Sequence, residues 1–81
     1  MSDTPKLCDA VYYYDEDGVC FAAQIAFVHE KNTKSGRPIC NLAILKHDGR
    51  VAARVNVEPA YHDGAKWRFL NKWSWPDEIP A

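Results

Sequence analysis

The sequence predicts an all-β domain, a small antiparallel barrel of four to five strands. Three observations carry this. Apolar runs of strand length recur between clusters of Gly, Pro, Asn and Asp. Asp48-Gly49, the strongest short turn signal, separates two such runs and marks a hairpin. No segment carries the apolar spacing of an amphipathic helix. Short strands at this spacing fit a barrel of the SH3-like kind.

In chain order, residues 1–9 read as a flexible leader, 10–76 as one small barrel domain and 77–81 as a tail. The first strand is expected over 10–14. Its consecutive Tyr12, Tyr13 and Tyr14 suit a strand with apolar surroundings on both faces, because each ring keeps a polar tip. Asp15-Glu16-Asp17-Gly18 reads as a turn. It lacks the spaced ligands and closing Glu of a calcium loop.

Residues 19–29 form the longest strand candidate. Val19, Phe21, Ala23, Ile25 and Phe27 share one face, and Cys20, Ala22, Gln24, Ala26 and Val28 share the other. A helix is the competing reading, since the alanines and Gln24 would fit one. Val, Ile and two Phe favour the strand. Residues 30–38 are polar, and Gly36 and Pro38 exclude a regular element at their end.

The central hairpin spans 39–57. Its first arm is apolar on both faces near Leu42 to Leu45, as a central strand would be. Its second arm alternates, with Val51, Ala53, Val55 and Val57 expected on the buried face and Ala52, Arg54 and Asn56 in solvent. Asp48-Gly49 is expected to form a type I′ turn with both residues at positive φ. Pro59 ends this arm. A loop follows over 60–65, then a short strand over 66–70. Trp73-Ser74-Trp75-Pro76 closes the domain.

An 81-residue chain makes one domain, and 47% hydrophobic residues suffice for one core. The net charge of -1 argues against nonspecific nucleic-acid binding, which needs concentrated positive charge. Three cysteines without a C-x-x-C pair, and a polar start, favour reduced thiols and a cytoplasmic setting. No apolar run reaches the length of a membrane span.

Zinc is not expected. Cys8, Cys20, His29, Cys40, His47 and His62 are nowhere paired at the short spacing of a zinc knuckle. A Gly-flanked nucleophile elbow, a phosphate loop and a His-Glu zinc motif are all missing. The expectation is a non-enzymatic protein with no metal or cofactor.

The candidate partner-binding residues are Trp73, Trp75, Tyr61, Lys31, Lys34 and Arg37. Large rings crowd the C-terminal segment beyond what a small barrel can enclose, so one of Trp73 and Trp75 is expected in the core and the other at an interface. Lys31, Lys34 and Arg37 make the 30–38 loop a candidate finger for an acidic partner.

Tyr12-Tyr13-Tyr14, Gly18, Asn41-Leu42-Ala43-Ile44-Leu45, Asp48-Gly49 and Trp73-Ser74-Trp75-Pro76 occur in that order. Over residues 10–77 the chain thereby resembles small, largely uncharacterised phage- and prophage-encoded proteins with a C-terminal Trp-x-Trp-Pro signature. Members often carry a Gly-containing stretch before the final Trp pair, where this chain has Phe69-Leu70-Asn71-Lys72. The resemblance implies a small barrel and a viral setting. It leads to an accessory protein that binds a host or phage protein in the host cytoplasm. The alternatives are a self-associating virion or assembly component and a nucleic-acid-binding barrel.

Overall fold

The computed structural model describes residues 5–29, 36–76 and 78–79. Among the described residues seven strands run in order: β1 (Ala10–Tyr14), β2 (Cys20–Val28), β3 (Cys40–Leu45), β4 (Val51–Pro59), β5 (Tyr61–His62), β6 (Trp67–Arg68) and β7 (Lys72–Ser74). The described residues contain no helix, so 19–29 takes the strand reading. Strands β1-β2-β3-β4-β7 close a small SH3-like barrel, and β5-β6 form a separate two-stranded ribbon.

The pairings are antiparallel except at the closure, where Glu58 and Pro59 of β4 run parallel to Lys72 and Trp73 of β7. The expected antiparallel barrel is therefore mixed at one junction. Before β1, Cys8 N–H donates to the Ile25 carbonyl and Ile25 N–H to the Asp9 carbonyl. Pro5 is buried.

The β3–β4 turn has a different geometry from type I′. Gly49 N–H donates to the Lys46 carbonyl, and Lys46 N–H donates to the Arg50 carbonyl. Gly49 has φ 89, whereas Asp48 does not have positive φ. The loop is thus His47-Asp48-Gly49, a type I turn closed by a glycine bulge. Asp48 caps it by accepting from Arg50 N–H.

The core is built from alternating residues of five strands: Val11 and Tyr13, Ala23 and Ile25, Cys40, Leu42 and Ile44, Val57, and Trp73. Burial pushes the Cys40 thiol up to about 11, which fits its place as a small apolar side chain.

Two bulges break the alternation. Leu42 faces Ile25 while Asn41 faces Phe27, which leaves Ala26 as an extra residue in β2. Leu42 faces Arg54 while Cys40 faces Val57, so Val55 and Asn56 together oppose Asn41. Asn56 takes φ 56, a left-handed conformation that Asn adopts more readily than most residues. Asn41 Oδ1 accepts from Asn56 N–H at 3.0 Å and from His29 Nε2–H at 2.9 Å. One side chain thereby joins the ends of β2, β3 and β4.

The bulge in β4 overturns the expected facing of that strand. Val57 is buried, but Val51 and Val55 are 65% and 66% exposed, and Ala53 is exposed with them. The extra residue at Asn56 shifts the two-residue period by one, so the strand changes face partway along. Likewise Phe21, Ala23 and Ile25 point inward, whereas the Ala26 bulge turns Phe27 out to 53% exposure.

Candidate functional site

The outward face of β2, β3 and β4 is apolar across three neighbouring strands. Register places Ala22, Leu45 and Val51 in one row, then Gln24, Ala43 and Ala53 in the next. Phe27 and Asn41 continue the pattern, with Val55 at the bulge opposite Asn41. Phe27, Leu45, Val51 and Val55 are the large exposed members. The floor between them is Ala43 and Ala53 with the polar Gln24 beside them, so the bulky side chains stand at the two ends of a shallow surface. Scattered exposed apolar residues are ordinary, but a contiguous set on adjacent strands marks an interaction surface.

Local contacts fix the geometry at one end of this face. The Phe27 and His29 rings meet edge to face at 5.0 Å. The His29 bond to Asn41 then ties that ring pair to the bulge. Arg54 lies in β4 between Ala53 and Val55 and is exposed. No carboxylate pairs with it among the described residues. The turn end carries Lys46, His47 and Arg50. Lys46 sits over the Phe21 ring at 4.7 Å, and His47 lies against the same ring at 4.5 Å. Asp48 is 3.5 Å from Arg50.

Of the described candidate residues, Trp73, Trp75 and Arg37 come together, but in and against the core and not on one surface with Tyr61. Trp73 is fully buried between β1 and β4, and its Nε1 has no hydrogen-bond partner among the described residues. Trp75 is half-buried, packs against the core and meets Trp73 edge to face at 5.4 Å. Arg37 is buried, donates to Glu78 Oε1 at 2.9 Å and to the Ala60 carbonyl at 2.8 Å, and lies 5.1 Å above the Trp73 ring. That arrangement clamps the segment before β3 onto the C-terminal end. Lys31 and Lys34 lie outside the described residues.

Tyr61 lines a second feature, an open cleft of about 390 Å³ shared with Trp67, Phe69 and Leu70 and with Lys66, Arg68 and Lys72. The β5–β6 ribbon shapes it. Asp63 accepts from Ala65 and Lys66 N–H groups and from Arg68 Nε at 2.6 Å. These donors hold its carboxyl well below the usual carboxylate range. His62 meets the Trp67 ring edge on at 5.6 Å, and Tyr14 meets Phe69 at 5.0 Å.

Among the described residues no group of three or more His, Cys, Asp or Glu side chains is placed to hold a metal ion. No described helix is long and apolar enough to cross a membrane. The sequence carried a signal for the β2–β3–β4 face, since 19–28 and 42–45 are apolar on both faces. Two buried faces explain such a pattern, and so does one buried face with one sticky face. Comparison with protein-family models, with curated proteins and with solved structures finds no match to this chain.

Proposed function

We propose that this chain is a non-enzymatic accessory protein that acts by binding another protein through the outward face of β2, β3 and β4. One observation carries the reading: four large apolar side chains, Phe27, Leu45, Val51 and Val55, stand exposed on three adjacent strands. Exposed apolar area of this kind costs solvation in the free protein and is recovered on docking. The partner surface this face suits is apolar. The motif resemblance to phage and prophage proteins supplies the setting, a bacterial host cell.

A nucleic-acid reading draws on the second feature alone. Lys66, Arg68 and Lys72 beside Trp67 and Tyr61 are the residue types that hold and stack a single strand. The net charge of -1 weakens it.

The test is chemical cross-linking in host lysate with the parent chain and with Phe27→Ser. The expected result is a partner captured by the parent and lost by Phe27→Ser at unchanged melting temperature. Capture that is equal for the two chains would remove the face from the account.

A further inference from the structure

The two edges of β4 are unequal. One edge pairs with β3 along Val51 to Arg54 and again at Val57. The other edge pairs with β7 only at Glu58 and Pro59. Along 51–55 that second edge has no neighbouring strand among the described residues.

The hairpin closure says which backbone groups point there. Lys46 N–H bonds the Arg50 carbonyl, so 46 and 50 occupy a hydrogen-bonded position of the ladder, with the Lys46 carbonyl taken by Gly49 N–H of the bulge. Antiparallel pairs alternate between bonded and non-bonded, so Ile44–Ala52 and Leu42–Arg54 are bonded and Leu45–Val51 and Ala43–Ala53 are not. The N–H and C=O groups of Val51 and Ala53 therefore face the open edge. Native edges are commonly blunted by Lys, Pro or a bulge. Here no Lys or Pro interrupts 51–55, Arg54 is its single charge, and the bulge comes only at its end.

We propose that this edge takes β4 of a second copy, antiparallel, with Ala53 opposite Ala53 of the other chain. The segment Val51-Ala52-Ala53-Arg54-Val55 suits this pairing because it is nearly symmetric about Ala53. Val51 of each copy then meets Val55 of the other, and Arg54 meets the small Ala52, so no like charges stand directly opposite.

The pairing rests on the protein-binding reading above and deepens it. Three strands about 4.8 Å apart and six residues long present roughly 300 Å² in projection. A stable interface takes about 800 Å² from each partner. A two-fold axis perpendicular to the sheet brings both outward faces to the same side, and the joined sheet presents roughly twice the apolar surface. The joined face, roughly 600 Å², comes closer to that figure than the face of one copy.

Analytical ultracentrifugation of the full chain over a concentration series tests this. The parent is expected to move from monomer to dimer as concentration rises. Val51→Glu and Val55→Lys are each expected to weaken association about tenfold or more. An equimolar mixture of the two variants is expected to restore it, because Glu then faces Lys at one of the two symmetric positions. Ala53→Pro removes an edge donor without touching the β3 ladder, and is expected to give a monomer that melts like the parent. A parent that stays monomeric, variants that associate as the parent does, or a mixture that stays monomeric would each overturn the pairing. Partner capture separates the two proposals. A dimer that captures nothing through Phe27 leaves the pairing standing and removes the protein-binding reading. A monomer that captures a partner does the reverse.

Discussion

Arg37 and Trp73 show how much a single side chain can hold in a barrel this small. Arg37 is buried, yet its charge is met by Glu78, its second amino group by the Ala60 carbonyl, and its face by the Trp73 ring. A buried cation is tolerated only with such partners. Trp73 fills the centre, and its Nε1, without a partner among the described residues, is a cost of about 1–3 kcal/mol that the packing of the ring must exceed. Trp73→Ala is expected to lose about 3–5 kcal/mol, enough to leave a domain of roughly 5–10 kcal/mol marginal. Trp75→Ala, at a half-buried position, is expected to lose clearly less. Urea denaturation of the two variants measures both. The crowding of rings at the C-terminal end was legible in the sequence. That Arg37 belongs with them was not, because 41 positions separate it from Glu78 and only the closed barrel brings the two together.

At the scale of the element, the bulge around Asn41 sets what β4 presents. Its second arm reads as a regular alternation of valines and alanines, and regular alternation implies one buried face. The extra residue at Asn56 breaks that inference by sending Val51 and Val55 out and Val57 in. The hint in the sequence was Asn56 itself, a residue depleted in strands and at home in a left-handed conformation. The turn is a similar case. Asp48-Gly49 placed it correctly, but His47 joins the loop and changes its type. Asn56→Val is expected to cost about 1–2 kcal/mol, since a β-branched side chain is strained at φ 56. Asn56→Gly is expected to cost less. Thermal melting of the pair checks the bulge, and equal losses would mean that the left-handed conformation is absent.

For the whole molecule, β5 lies where a loop is expected and β7 begins where a turn is expected, whereas the first four strands, the hairpin and the all-β class follow from local signals, each a few residues long. Barrel closure does not, because the parallel junction of Glu58 and Pro59 with Lys72 and Trp73 depends on the path of the chain through the β5–β6 ribbon. The candidate surface also needed the closed structure. Only a barrel with one buried face per strand turns a two-sided apolar pattern in β2 and β3 into exposed surface. The account rests on this placement: the valines of one strand divide between core and surface. Urea denaturation of Val57→Ser beside the double variant Val51→Ser/Val55→Ser tests it most directly. Val57→Ser is expected to lose about 2–4 kcal/mol, as a buried side chain is replaced by a smaller polar one. At a concentration where the parent is monomeric, the double variant is expected to stay within about 1 kcal/mol of it, as exposed substitutions do. A double variant that loses as much as Val57→Ser would show that Val51 and Val55 are core, and would contradict the account.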